Sequence, residues 1–103
     1  MTPEEFFTQY AVAEKGLDAM EAAIGPRRKC FSNPGALMIR SATDAIAQSL
    51  ASMIVDADGL DAAAHEIGRL LLARDTMADW TVEERANLAY ESVTRTDHVA
   101  MVD

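Results

Sequence analysis

The chain opens with a helical pattern of apolar positions. Between residues 3 and 24, apolar side chains recur at steps of three and four; they are Phe6, Tyr10, Ala13, Leu17, Met20 and Ile24. Thr2, Pro3 and Glu5 form a start signal, because a threonine caps free amides, proline suits the first helical position and the glutamate completes a capping box. Gly25-Pro26 ends the pattern. It predicts a first helix over residues 3–24, about 33 Å long at 1.5 Å per residue.

A second helical pattern follows a segment that we interpret as a loop, residues 25–33. Asn33-Pro34 repeats the start signal, with Asn33 as N-cap and Pro34 at the first helical position. The apolar positions again keep helical spacing; they are Met38, Ile39, Ala42, Ala45, Ile46, Leu50 and Met53. The pattern predicts a second helix over residues 34–55, packed antiparallel to the first.

Two shorter helices are predicted in the second half. Turn formers at Asp56 to Gly59 precede apolar positions with helical spacing, which predicts a third helix over residues 60–74. Thr81 and Glu84 form another capping box, so a fourth helix is expected over residues 82–95, with a flexible tail at 97–103. No segment alternates apolar and polar residues as a strand does. The expected fold is therefore all-α, a compact bundle of about four helices, two long and then two shorter.

Length and composition limit the class of protein. The 103 residues fit one domain, and 50% hydrophobic with 25% charged residues is typical of a folded globular chain. A single cysteine excludes an internal disulfide. One cysteine and two histidines are also few ligands for a transition-metal site, so no metal or other cofactor is expected. No apolar run approaches the roughly 20 residues of a membrane span, and the first residues lack the basic segment and apolar core of a signal peptide, so none is expected. The expected location is cytoplasmic.

Charge limits the kinds of partner that the chain can have, although an acidic face is also common where it only keeps a small protein soluble. Seventeen acids against nine bases give a net charge of -8, and residues 52–103 carry eleven of those acids but four bases. Such a chain repels phosphate backbones, so direct nucleic-acid binding is not expected, whereas a basic or nucleic-acid-binding protein is a suitable partner. The acids that we single out as candidates to take the place of phosphates on such a partner are Asp75, Asp79, Glu83 and Glu84.

Basic and aromatic residues supply further candidates for a partner surface. Arg27, Arg28 and Lys29 can bind an acidic surface or phosphate, although cations at this place also stabilise the C-terminal end of the first helix. Trp80 precedes the fourth helix, where it either packs at the edge of the core or anchors an interface. Phe7 cannot share the centre of the apolar stripe with Phe6, which leaves it for contact with a second chain.

Three catalytic or metal-binding patterns are weaker than their structural interpretations. The segment Asp56 to Asp61 has alternating carboxylates, but Gly59 is the fourth residue, not the sixth that an EF-hand loop requires. Asp61 and His65 share a helical face without any evident nucleophile. Cys30 follows three cations, which favours its thiolate, yet a lone cysteine is more often a small buried hydrophobe. No catalytic residue is assigned, and an enzyme is not expected.

The resulting hypothesis is a non-enzymatic, acidic protein-interaction module that binds a partner protein and inhibits or masks it. Small acidic proteins of this kind include inhibitors from phages or mobile elements, such as anti-CRISPR proteins; the analogy rests on size and charge, with no motif behind it. The alternative is a small helical enzyme or ligand-binding dimer that holds an anionic metabolite with Arg27, Arg28, Arg40 or Arg69. A homodimer is an open alternative in either case. Four helices of unequal length bury only part of the two long apolar stripes, and a second copy can cover the exposed part.

Overall fold

The computed structural model describes residues 2–24 and 34–102, with side chains described over 2–24 and 35–95. Over these residues the chain forms four α-helices and two short 3-10 turns, without a strand. The helices are α1 (Pro3–Ile24), α2 (Pro34–Ala51), α3 (Leu60–Leu72) and α4 (Val82–Val102); the turns span Ala57–Gly59 and Arg74–Met77. The predicted all-α bundle of about four helices is confirmed.

The second and third helices end earlier than predicted. The backbone amides of Met53 and Ile54 bond to carbonyls three residues back, which tightens the chain into turns after Ala51 and ends α2 before residue 55. Apolar residues continue through these turns and pack against the core, so the apolar pattern extends past the end of the helix. The third helix ends at Leu72, because Arg74 opens a 3-10 turn.

The fourth helix is longer than predicted. It continues to Val102 and spans 21 residues, so the expected helix end near Arg95 is corrected, while the flexibility predicted for residues 97–103 stays a prediction. The segment from Val82 onward holds no glycine or proline that would stop a helix. The bundle therefore has α1 and α4 as its longest described helices, with 22 and 21 residues, and the expected order of two long then two shorter helices is wrong.

One hydrophobic core joins the four helices. Phe6, Tyr10 and Leu17 of α1 are fully buried and meet buried residues of the other three helices; these include Ala47, Leu50, Ile67, Leu71, Ala86 and Ala89. The predicted apolar stripes supply most of this core, but three of their members are exposed: Ile24, Met38 and Ala45.

Helices α2 and α3 make the most extensive contact in the bundle. Gly68 lies at this contact, where an added Cβ would lie 3.5 Å from the Cβ of Ala47, an ordinary van der Waals distance. Helices α1 and α4 meet through aromatic rings at one end, where the ring centroids of Phe6 and Tyr90 lie 5.6 Å apart. None of the described helices has the length and apolar character required to cross a membrane.

Candidate functional site

Two arginines, of which Arg74 is buried and Arg85 partly buried, organise the side of the molecule where α1 meets the start of α4. Arg85 of α4 forms a bidentate pair with Glu14 of α1: its Nε and Nη2 donate to the two carboxylate oxygens at 2.8 and 2.9 Å. Its Nη1 donates to the backbone carbonyls of Met77 and Trp80, at 3.0 and 2.6 Å. One guanidinium thus fixes α1, the 3-10 turn and the start of α4 relative to one another.

Arg74 forms a parallel set of contacts from the 3-10 turn. Its Nε donates to Asp18 at 3.0 Å, its Nη2 to Glu21 at 2.6 Å and its Nη1 to the carbonyl of Leu71 at 2.8 Å. The Arg74 side chain is only 8% exposed. Burial works against the charged guanidinium, but the hydrogen bonds from Arg74 to its two carboxylates raise its pKa overall. The hydrogen bonds to Glu14 likewise raise the pKa of Arg85.

A tyrosine hydroxyl lies close to this network without a hydrogen bond. Tyr10 is fully buried, and its hydroxyl has no hydrogen-bond partner among the described residues. Burial, and then the neighbouring carboxylate of Glu14, raise the pKa of Tyr10 well above its usual value. The phenol is therefore held in its neutral form and packs against Phe6, with ring centroids 6.1 Å apart.

The two arginines and their partners line a polar cavity of about 260 Å³. The cavity, called here the polar cavity, is bounded by Glu14, Asp18, Glu21, Arg74, Asp75, Ala78 and Arg85. Four acids against two arginines leave an excess of negative charge there. One carboxylate oxygen of Asp18 accepts the hydrogen bond from Arg74, but the side chain remains 68% exposed. Its other oxygen can therefore accept a hydrogen bond from a partner.

A larger groove adjoins the polar cavity and shares Glu14 and Asp18 with it. This apolar groove has a volume of about 900 Å³, is open to solvent and has mainly apolar walls. Its lining consists of Glu4, Phe7, Thr8, Ala11, Val12, Glu14, Lys15, Asp18, Val82 and Glu83. It therefore runs along the outer side of α1 and past the first turn of α4.

The structure divides the predicted acidic residues among different environments. Asp75 lines the polar cavity and Glu83 lines the apolar groove, while Asp79 is exposed in the turn between them along the chain. Glu84 has a local role: its carboxylate accepts the backbone N–H of Thr81 at 2.7 Å, which completes the predicted capping box.

The predicted tryptophan lies beside the same face. The Trp80 side chain is 44% exposed, and its backbone carbonyl accepts the hydrogen bond from Arg85. Its partial exposure is compatible with either interpretation given above. The predicted basic residues Arg27, Arg28 and Lys29 lie outside the described residues.

The alternative arginine site receives little support from the positions of its described members. Arg69 donates to both oxygens of Glu66, at 3.1 and 2.7 Å, on the surface of α3. Arg40 is exposed on α2, and neither residue lines the polar cavity or the apolar groove. His65 is exposed as well. Among the described residues, no group of three or more histidines, cysteines or acids is placed to hold a metal ion.

Sequence reasoning missed the contribution of α1 to this face. Glu14, Asp18 and Glu21 lie four and three residues apart, so they share one side of the helix, next to the buried stripe. That spacing was a usable signal for a row of carboxylates. Their arginine partners carried no such signal, because Arg74 and Arg85 are more than 50 residues away in the chain.

The comparisons with known proteins identify no relative for this face or for the fold. The chain matches no protein-family model, no curated protein and no solved structure.

Proposed function

We propose that the protein is a non-enzymatic interaction module that binds a basic, nucleic-acid-binding protein and masks its surface. The observation that carries this proposal is the acidic character of the joined groove and cavity. Six acids and three bases line them, and the two arginines among those bases are already engaged by carboxylates of α1. The charge left for a partner is negative, so it attracts lysine and arginine side chains.

Masking follows from the chemistry of the partner. Lysine and arginine side chains that bind phosphates also bind carboxylates, with similar charge-assisted hydrogen bonds. An acidic face that occupies such side chains competes with nucleic acid for them, which is how we account for inhibition without catalysis. The same charge disfavours an anionic metabolite in the groove, where Lys15 is the single base among four acids of the lining.

The test is capture of partners by the tagged protein from its native host lysate, followed by titration with each purified partner at low and high salt. The structure selects the charge-reversal variant. Asp79→Lys/Glu83→Lys changes two exposed acids, whereas Glu84 must stay because it caps α4. The matched control is Asp44→Lys/Asp56→Lys, which reverses two exposed acids of α2 and the turn after it.

We expect a basic partner whose affinity falls at high salt and falls at least tenfold further with Asp79→Lys/Glu83→Lys than with the control. Equal losses with both variants would show attraction to net charge alone and would contradict the proposal. The proposal also fails if no partner binds and an anionic metabolite raises the melting temperature, since that result assigns the protein to ligand binding.

A further inference from the structure

The apolar groove has the dimensions of a helix-binding site. The residues of α1 that line it extend from Glu4 to Asp18, which corresponds to about 21 Å of helix at 1.5 Å per residue. A partner helix of about four turns would lie along it. An elongated, open groove along α1 and past the first turn of α4 suits such a segment better than it suits a small ligand, which needs enclosure on most sides.

The walls and the rim of the groove differ in chemistry. Phe7, Ala11 and Val82 are partly buried in its walls, and Val12 is 59% exposed at its side. Carboxylates line the same groove, from Glu4 near its start to Asp18, where the polar cavity begins. An occupant that matches both features has an apolar stripe bordered by lysine or arginine residues.

We infer that the apolar groove holds an amphipathic helix of a basic partner protein, with its apolar stripe against Phe7, Ala11 and Val12 and a basic side chain at Asp18. The inference rests on the proposed function and adds the kind of segment that is bound and its place. A second copy of this chain fits less well, because its net charge of -8 would add negative charge to an acidic groove.

The experiment uses two fluorescent 14-residue peptides of leucine and lysine with identical composition. One peptide has its leucines at helical spacing, and in the other they are scrambled so that no apolar face forms. Both are titrated by fluorescence anisotropy against the 103-residue protein at 0.15 M salt. We expect the amphipathic peptide to bind at least tenfold more tightly than the scrambled one. Equal binding would show attraction to charge alone and would overturn the inference.

Two tryptophan variants locate the binding. Ala11→Trp fills the groove without a change in charge, and Ala45→Trp places the same side chain on an exposed position of α2. Circular dichroism checks that both variants remain helical. Ala11→Trp should weaken binding of the amphipathic peptide at least tenfold, while Ala45→Trp leaves it within twofold. If Ala11→Trp has no greater effect than Ala45→Trp, the helix binds elsewhere and the inference is wrong.

Two further results separate this inference from the proposed function. If a basic partner protein depends on Asp79 and Glu83 but binds Ala11→Trp normally, the proposed function stands and the helix-binding groove does not. Sedimentation of the protein alone tests whether a second copy of the chain occupies the apolar groove. A dimer that becomes monomeric with Ala11→Trp would place a second copy there and overturn the inference. A monomer whose partner binding is lost with Ala11→Trp supports it.

Discussion

The α2–α3 contact and the α1–α4 contact hold the same bundle together by different means. Gly68 of α3 faces Ala47 of α2, and both helices contribute buried apolar residues to the core. Helices α1 and α4 instead meet through the ring of Tyr90 at one end and the pair between Arg85 and Glu14 at the other. The first contact relies on apolar packing, whereas the second includes a buried ion pair beside the apolar groove.

The largest effect is expected from breaking that ion pair. Arg85→Leu leaves the Glu14 carboxylate, only 6% exposed, without its cation, and it also removes the donor to the Met77 and Trp80 carbonyls. We expect a loss of about 3 kcal/mol in the free energy of unfolding, measured with urea. Arg69→Leu is the matched control, since Arg69 makes a similar pair with Glu66 but is 57% exposed, and its loss should be much smaller.

A double variant shows whether the loss comes from an uncompensated charge. Glu14→Leu/Arg85→Leu removes both members of the pair and leaves apolar side chains in their place, so it should be more stable than Arg85→Leu alone. If the double variant is less stable than the single one, Glu14 contributes through contacts other than Arg85. In that case the contrast with the apolar α2–α3 contact would be weaker than the structure indicates.

Overpacking the α2–α3 contact should produce the next largest effect. Gly68→Leu adds three further carbons beyond a Cβ that already lies 3.5 Å from Ala47, so we expect a loss of about 2 kcal/mol in a urea titration. Gly68→Ala is the control, because its single methyl group meets Ala47 at an ordinary contact distance. If Gly68→Leu is as stable as Gly68→Ala, the two helices are packed less tightly than the distance implies.

The sequence predicted what depends on near neighbours in the chain. The capping box of Thr81 and Glu84 joins residues three positions apart, and the stripe of α1 needs only the helical repeat. The end of α2 was predicted too late, because Met53 continues the apolar pattern in a turn that still packs on the core. Apolar spacing reports burial, and burial does not require that the helix continues.

The candidate site depends mainly on distant residues, which limited its prediction. Glu14 and Arg85 are 71 residues apart, so no local pattern could pair them. Asp75 and Glu83 were chosen for their charge alone, and the structure places them on two adjoining depressions, one polar and one apolar. The apolar groove itself is lined by residues of α1 and of the first turn of α4, so it is a property of the tertiary fold and not of either segment.

A smaller effect is expected where α1 carries an unpartnered buried hydroxyl. Tyr10→Phe removes that hydroxyl and keeps the ring packed against Phe6, so the protein should gain about 1 kcal/mol in thermal or urea unfolding. Folding raises the pKa of Tyr10, so ionisation of the phenol favours the unfolded state. This ionisation leaves the free energy of unfolding unchanged below about pH 10 and lowers it as the pH rises further. The variant should lose less stability than the wild type in that alkaline range. A destabilised Tyr10→Phe would mean that the hydroxyl has a partner that compensates its burial.

The smallest effect compares two glycines, one on each side of the bundle. A Cβ at Gly16 of α1 would meet nothing within 4 Å, whereas one at Gly68 of α3 would touch Ala47. Gly16→Ala should therefore stabilise the protein by roughly 0.5 to 1 kcal/mol, as alanine costs less backbone entropy within a helix. Gly68→Ala gains the same helix propensity and adds a methyl group at an ordinary contact distance from Ala47, so its gain in stability should be equal or larger. A Gly68→Ala variant that is less stable than the wild type would show that α2 and α3 leave no room for this methyl group.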